Sequence, residues 1–131
     1  MASKLAAECL FCKIIRSEIP SFKIHETAHS FAFLDIGPLS EGHALVIPKY
    51  HAEKMHELPD EFLADAMPVA KKIANNGRLA HQEVPHVHFH IIPKPNEEEG
   101  LAIGWPTKKA DFERLKELAG SLKLKDIKNV V

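Results

Sequence analysis

The sequence predicts an α+β domain built on an antiparallel sheet with two main helices. Three observations carry that expectation. Short apolar or alternating runs at Ser21–His25, Ser30–Ile36, His43–Pro48 and His86–Ile92 read as strands. Amphipathic stretches follow Pro59 and Ala110, and turn residues such as Gly37-Pro38 and Asn75-Asn76-Gly77 separate the runs. The strands come in hairpin order rather than alternating one by one with helices, which argues against a parallel sheet.

Each element has its own local reason. Cys9–Arg16 (CLFCKIIR) places Phe11, Ile14 and Ile15 at helical spacing, and Pro20 closes that segment. Ser30–Ile36 alternates in polarity and stops at Gly37-Pro38. His43–Pro48 is a continuous apolar run, the pattern of a buried strand. Pro59-Asp60-Glu61 opens a helix with acidic residues in its first turn. That helix continues through Phe62, Met67, Ala70 and Ile73, and Pro68 should kink it or lie near its start. Ala110–Leu122 reads as the terminal helix.

The 131 residues suit one domain, with no repeat, linker or low-complexity stretch, and residues 1–8 are expected to form a disordered N-terminus. Hydrophobic residues make up 45% and charged residues 27%, enough apolar material for a core without disulfides. The net charge of −1 argues against a nucleic-acid binder, which should carry a basic face. No signal-peptide pattern is present, and no apolar run approaches the roughly 18 residues that span a bilayer. A cytosolic or nuclear protein is expected, in which the two cysteines, Cys9 and Cys12, stay reduced.

Nine histidines are many for this length, and His81, His86, His88 and His90 fall within ten residues. In a strand, residues two apart face the same way, so His86, His88 and His90 would line one face while Val87, Phe89 and Ile91 face the core. That apolar row would fix the register of the imidazoles. A solvated polar face is the plainest explanation, but strict alternation against so apolar a row argues against it. A metal site is a second reading, although three ligands along one strand span roughly 13 Å, too far for the outer two to share an ion easily. The third is nucleophilic catalysis: a neutral imidazole can attack phosphorus once a neighbour fixes its tautomer.

The segment matches the pattern His-φ-His-φ-His-φ-φ, with φ apolar, at every position, and on these residues the chain resembles the histidine-triad (HIT) family. The resemblance runs from Cys9 to about Trp105 and is closest to its Hint branch, in small fungal and bacterial members with Cys-x-x-Cys near the N-terminus. Further matches are Leu10–Arg16, Phe33-Leu34-Asp35-Ile36, the stretch from Gly42 to His51, Gln82-Glu83-Val84, Pro93-Lys94-Pro95 and Gly104-Trp105-Pro106. The resemblance implies about five strands and a homodimer. It implies hydrolysis of purine nucleoside 5′-phosphoramidates, adenosine preferred, through a covalent nucleotidyl-histidine. Hydrolysis of dinucleoside polyphosphates and a zinc-stabilised nucleotide-binding module with little catalysis are the alternatives.

By position, the resemblance makes His88 the nucleophile. His86 and His90 would position its ring and hold phosphoryl oxygens, and His51 would be a fourth histidine near the site. Asp35 would accept the ribose hydroxyls, although it could simply end a strand before the Gly37-Pro38 turn. Phe11, Ile14, Ile19 and Phe33 would form a slot for the base, and core packing explains them nearly as well. Asn75 is assigned to the ribose or phosphate side and Gln82 to the leaving group. Glu83 stands where serine or threonine is common, which puts the leaving-group proton donor in doubt. Cys-x-x-Cys alone fits redox, metal-binding or buried roles. With His51 and His86, the resemblance implies that Cys9 and Cys12 complete a structural zinc site, with no metal needed for the chemistry. The partner implied is an AMP-type nucleotide, with no nucleic acid and no membrane.

One departure stands out. In relatives a loop and a further strand follow the helix that here ends near Ile73-Ala74, whereas this chain passes directly into Asn75-Asn76-Gly77. Roughly a dozen residues are lacking by comparison. Their loss should leave the sheet a strand short and a gap beside the triad strand.

Overall fold

The computed structural model describes residues 4–74, 78–80, 82–102 and 104–122, which form two compact units. One takes in the chain up to Ile73 and from Thr107 onward; the other spans Ala74–Pro106. The first unit holds helix α1 (Leu10–Ile15), strands β1 (Phe22–Glu26), β2 (Ser30–Leu34) and β3 (Ala44–Pro48), and helices α2 (Asp60–Ile73) and α3 (Phe112–Leu122). The α+β class and the antiparallel order stand as the sequence predicts, with three strands in the order β1-β2-β3 among the described residues.

The central strand organises the core because it is buried on both faces. Side chains alternate along a strand. Ala32 and Leu34 therefore face one layer, with Ile24, Val69 of α2 and Leu115 and Ala119 of α3. Phe31 and Phe33 face the other layer, with Ile14 of α1 and Ile47 of β3. Register follows from this: Phe33 pairs with Leu45 and Leu34 with Ala44, and a one-residue slip would exchange the two layers. The β1–β2 pairing carries a bulge between Lys23 and His25.

The turns are fixed by short polar contacts. In the β1–β2 turn the backbone N–H of Thr27 donates to the Ser30 carbonyl at 2.9 Å. Thr27 Oγ1 accepts from the Ser30 N–H at 2.9 Å and donates to Asp65 Oδ2 at 2.5 Å, tying the hairpin to α2. At the same end of the sheet Lys49 Nζ meets Glu26 Oε1 at 2.5 Å, and this ion pair, with Lys23 adding to it, holds the Glu26 carboxyl below its ordinary value. Helix α2 runs on through Pro68, which is exposed. It lies in the second half of the helix rather than near its start, and its missing N–H leaves one helical hydrogen bond unmade.

The second unit differs from expectation. Residues 82–102 contain no strand, so the strand expected over His86–Ile92 is not formed. Val87, Phe89 and Ile91, expected to face a core, are 71%, 75% and 91% exposed. A strand meets its backbone hydrogen-bonding needs only beside another strand, and among the described residues this unit has none. Its order comes from local bonds instead. Asn96 Oδ1 accepts from the N–H groups of Glu98 and Glu99, and Lys94 Nζ donates to the carbonyls of Glu97 and Glu99. Gly100 has φ +84, and an added Cβ would lie 2.8 Å from the Pro93 carbonyl oxygen, so only glycine fits there.

Two outcomes follow for stability. Leu34→Ala should cost about 2–5 kcal/mol, read from urea unfolding, because Leu34 is only 1% exposed at the centre of the larger layer. The Glu26 carboxyl titrates lower in the folded state than its ordinary value of 4.5, so its contribution is present above that pH and fades as pH falls below it. The stability gap between wild type and Glu26→Gln should therefore be largest near neutrality and close towards pH 3. A gap independent of pH would show that the charge of Glu26 is not what matters.

Candidate active site and metal cluster

The site residues expected from the sequence fall in both units, and each unit is described by itself. In the larger one, Asp35 sits just past the end of β2. The register carries on beyond Leu34 and Ala44: the Asp35 N–H donates to the His43 carbonyl at 2.8 Å, placing Asp35 opposite His43. Asp35 Oδ1 accepts from the Gly37 N–H at 2.7 Å, and Oδ2 lies 3.5 Å from His43 Nε2. The carboxylate is thus held at the mouth of the hairpin, partly exposed. His43 carried no site role in the sequence pattern, and its place directly before β3 sets it across from the residue that follows β2.

Two of the four apolar residues named for a base slot line a cavity. A cavity of about 240 Å³ is lined by Ile14, Ser17, Ile19, Pro20, Ser21, Lys23 and Phe31. Ile14 and Ile19 line it, while Phe11 and Phe33 do not. Phe33 packs inside the layer and meets the Phe11 ring edge-on at 6.0 Å between centroids. Phe31 takes the lining position. It lies on the same face of β2 as Phe33, two residues earlier, and that periodicity was the signal for it.

Three of the four expected metal ligands come together. One ligand atom from each of Cys9, Cys12 and His51 lies within 4.8 Å of the others, with Cys12 Sγ and His51 Nδ1 3.6 Å apart. Two thiolates and an imidazole at this spacing suit the tetrahedral donor set of zinc. Residues 4–8 support the cluster. The Ala6 N–H donates to Cys12 Sγ, the Lys4 carbonyl accepts from the His51 N–H, and Arg16 bonds the carbonyls of Ala6 and Ala7. Hydrogen bonds, chiefly from the Cys12 backbone, lower the Cys9 thiol to about 7, while burial raises that of Cys12. The fourth expected ligand, His86, belongs to the other unit.

In that unit His88 Nδ1 lies 2.6 Å from the His86 carbonyl oxygen. A carbonyl only accepts, so Nδ1 carries a proton, and in the neutral ring Nε2 keeps the lone pair, the form a nucleophile needs. The His88 and His90 rings stand edge to face, 5.0 Å apart. Gln82 Nε2 donates to the Val84 carbonyl at 3.2 Å. Asn75 and His81 lie outside the described residues.

A three-stranded antiparallel sheet packed against helices defines an α+β domain. The family assignment is direct: a model of the HIT domain matches residues 16–97, and the chain belongs to that family. It is 59% identical to the adenosine 5′-monophosphoramidase HNT1 of Saccharomyces cerevisiae, over 87% of this chain and 80% of that one. It is 48% identical to a histidine triad nucleotide-binding protein of known structure from Candida albicans, with a TM-score of 0.50, covering 88% of this chain and 95% of that one. A zinc-bound histidine triad family protein from Mycobacterium smegmatis is 29% identical, with a TM-score of 0.51 over 88% of this chain and 95% of that one.

The Saccharomyces alignment runs over 126 residues yet takes in 87% of this 131-residue chain, so about a dozen of its positions fall opposite gaps here. That number is the same in size as the segment that the sequence lacks before Asn75 by comparison with the family pattern.

Iodoacetamide at pH 7 should modify Cys9 well before Cys12, because Cys12 is only 3% exposed and its thiol is raised. One equivalent of zinc should protect both thiols. Alkylation rates unchanged by zinc, followed by mass spectrometry, would remove the metal reading.

Proposed function

We propose that the protein hydrolyses purine nucleoside 5′-phosphoramidates, adenosine 5′-phosphoramidate foremost, with His88 as the nucleophile. The observation that carries this is the bond from His88 Nδ1 to the His86 carbonyl, which in the neutral ring leaves the lone pair on Nε2. The Saccharomyces relative, an adenosine 5′-monophosphoramidase, supports the same chemistry. His88 Nε2 attacks the 5′-phosphorus, a P–N bond to histidine forms, and the P–N bond to the amine breaks as the amine takes up a proton. Water then attacks phosphorus, the bond to Nε2 breaks, and the nucleoside 5′-monophosphate leaves with His88 restored. Dividing one displacement into two lowers the barrier of each.

In this reading His86 and His90 orient the ring and hold phosphoryl oxygens, and Gln82 and Asn75 serve the leaving group and the ribose-phosphate side. Asp35 accepts the ribose hydroxyls. Ile14 and Ile19 take the base, with Phe11 and Phe33 behind them. Cys9, Cys12 and His51 would hold zinc, whose chemistry there is structural, drawing thiolates and an imidazole into one cluster. A homodimer and a cytosolic or nuclear setting complete the proposal; both cysteines are free thiols.

A second reading has a specific observation behind it. The triad segment is exposed and carries no strand, which favours a nucleotide-binding module with little turnover. Purified protein incubated with adenosine 5′-phosphoramidate should release AMP and ammonia. His88→Ala, checked for folding by circular dichroism, should lower kcat by about 10³-fold or more. Folded wild-type protein that binds AMP without turnover would select the second reading.

A further inference from the structure

We propose that His43 is a positioning residue that holds the Asp35 carboxylate ready for a vicinal ribose diol. The inference rests on the reading of Asp35 as the ribose acceptor and extends it to a residue outside the triad.

The geometry is a short relay in the β2–β3 hairpin. The Leu39 N–H donates to His43 Nδ1 at 3.1 Å, so that nitrogen is unprotonated and the proton of the neutral ring sits on Nε2. Nε2 faces Asp35 Oδ2 at 3.5 Å, and the Gly37 N–H donates to Oδ1 at 2.7 Å. The ring is anchored from behind as well, because the His43 N–H donates to the Ser40 carbonyl and its own carbonyl accepts from Asp35. The His43 side chain is 18% exposed and that of Asp35 is 26%, so both are shielded without being sealed off.

An ionised carboxylate offers about four acceptor sites, two on each oxygen. Gly37 occupies one on Oδ1 and His43 faces Oδ2, which leaves one on each oxygen. Two adjacent hydroxyl donors need that number. A carboxylate bonded at Oδ1 and faced by the Nε2–H at Oδ2 loses little rotational freedom when the diol arrives, and such preorganisation favours binding. Without the Nε2–H donor, Asp35 would be held on one side only and free to turn away from the diol.

The test compares AMP with 2′,3′-dideoxyadenosine 5′-monophosphate, titrated calorimetrically into the full-length protein. Wild type should prefer AMP by about tenfold or more, the scale of hydrogen bonds to a charged group. Asp35→Asn should abolish most of that preference. His43→Ala should reduce it to about twofold and leave the dideoxy affinity unchanged, whereas His43→Gln, which keeps an N–H donor near Asp35, should retain it. A purely structural role for His43 would weaken both ligands alike, and that result would overturn the inference. So would full preference in His43→Ala beside its loss in Asp35→Asn, with the ribose reading intact. Wild type that binds neither ligand, or binds both equally, would overturn the ribose reading and the inference with it.

Discussion

Burial of β2 on both faces is the constraint on which the rest of the larger unit depends. One strand supplies Ala32 and Leu34 to the layer under α2 and α3, and Phe31 and Phe33 to the layer under α1. Because the side-chain period is two, the register of β2 decides both layers at once. It also decides the site. Extending the β2–β3 pairing by one residue brings Asp35 opposite His43, and the α1-facing row of β2 sets Phe31 in the wall of the cavity. Core and candidate binding residues are consecutive positions on one strand, so their relative placement is as rigid as the core.

The Cys9–Cys12–His51 cluster has a different origin. Cys9 and Cys12 are brought together by one helical turn at the start of α1, whereas His51 arrives from beyond β3. Residues 4–8 close over the cluster with backbone groups that pair with Cys12, His51 and Arg16. The local bonds that lower the Cys9 thiol also prepare it as a thiolate ligand. No helix among the described residues is long and apolar enough to cross a membrane.

The histidine segment shows how far an alternating pattern reaches by itself. His86–Ile92 has the residues of a two-faced strand, yet Val87, Phe89 and Ile91 stand in solvent. The Saccharomyces relative aligns with about a dozen more positions than this chain provides. A β-strand is a cooperative property of at least two chain segments, and its sequence pattern states only which face each residue would take. The chemistry of the triad is less dependent on that neighbour. The His86 carbonyl fixes the His88 tautomer within the segment itself, leaving Nε2 as the basic nitrogen.

Much of the architecture was legible in the residues. The apolar runs at Ser30–Ile36 and His43–Pro48, the turn at Gly37-Pro38 and the amphipathic stretch after Pro59 placed β2, β3 and α2 to within a residue or two. Local hydrophobic period and turn chemistry are enough for that. So did the pairing of Cys9 with Cys12, which one helical turn enforces. The partnership of Asp35 with His43, the lining role of Phe31 in place of Phe33, and the anchoring of residues 4–8 were decided by tertiary structure. Each depends on strand register or on segments distant in sequence, and no local propensity encodes which carbonyl or imidazole a side chain will meet. The sequence alone thus determined the elements and the chemical inventory of the site, while packing around β2 determined which of those groups hold one another in place.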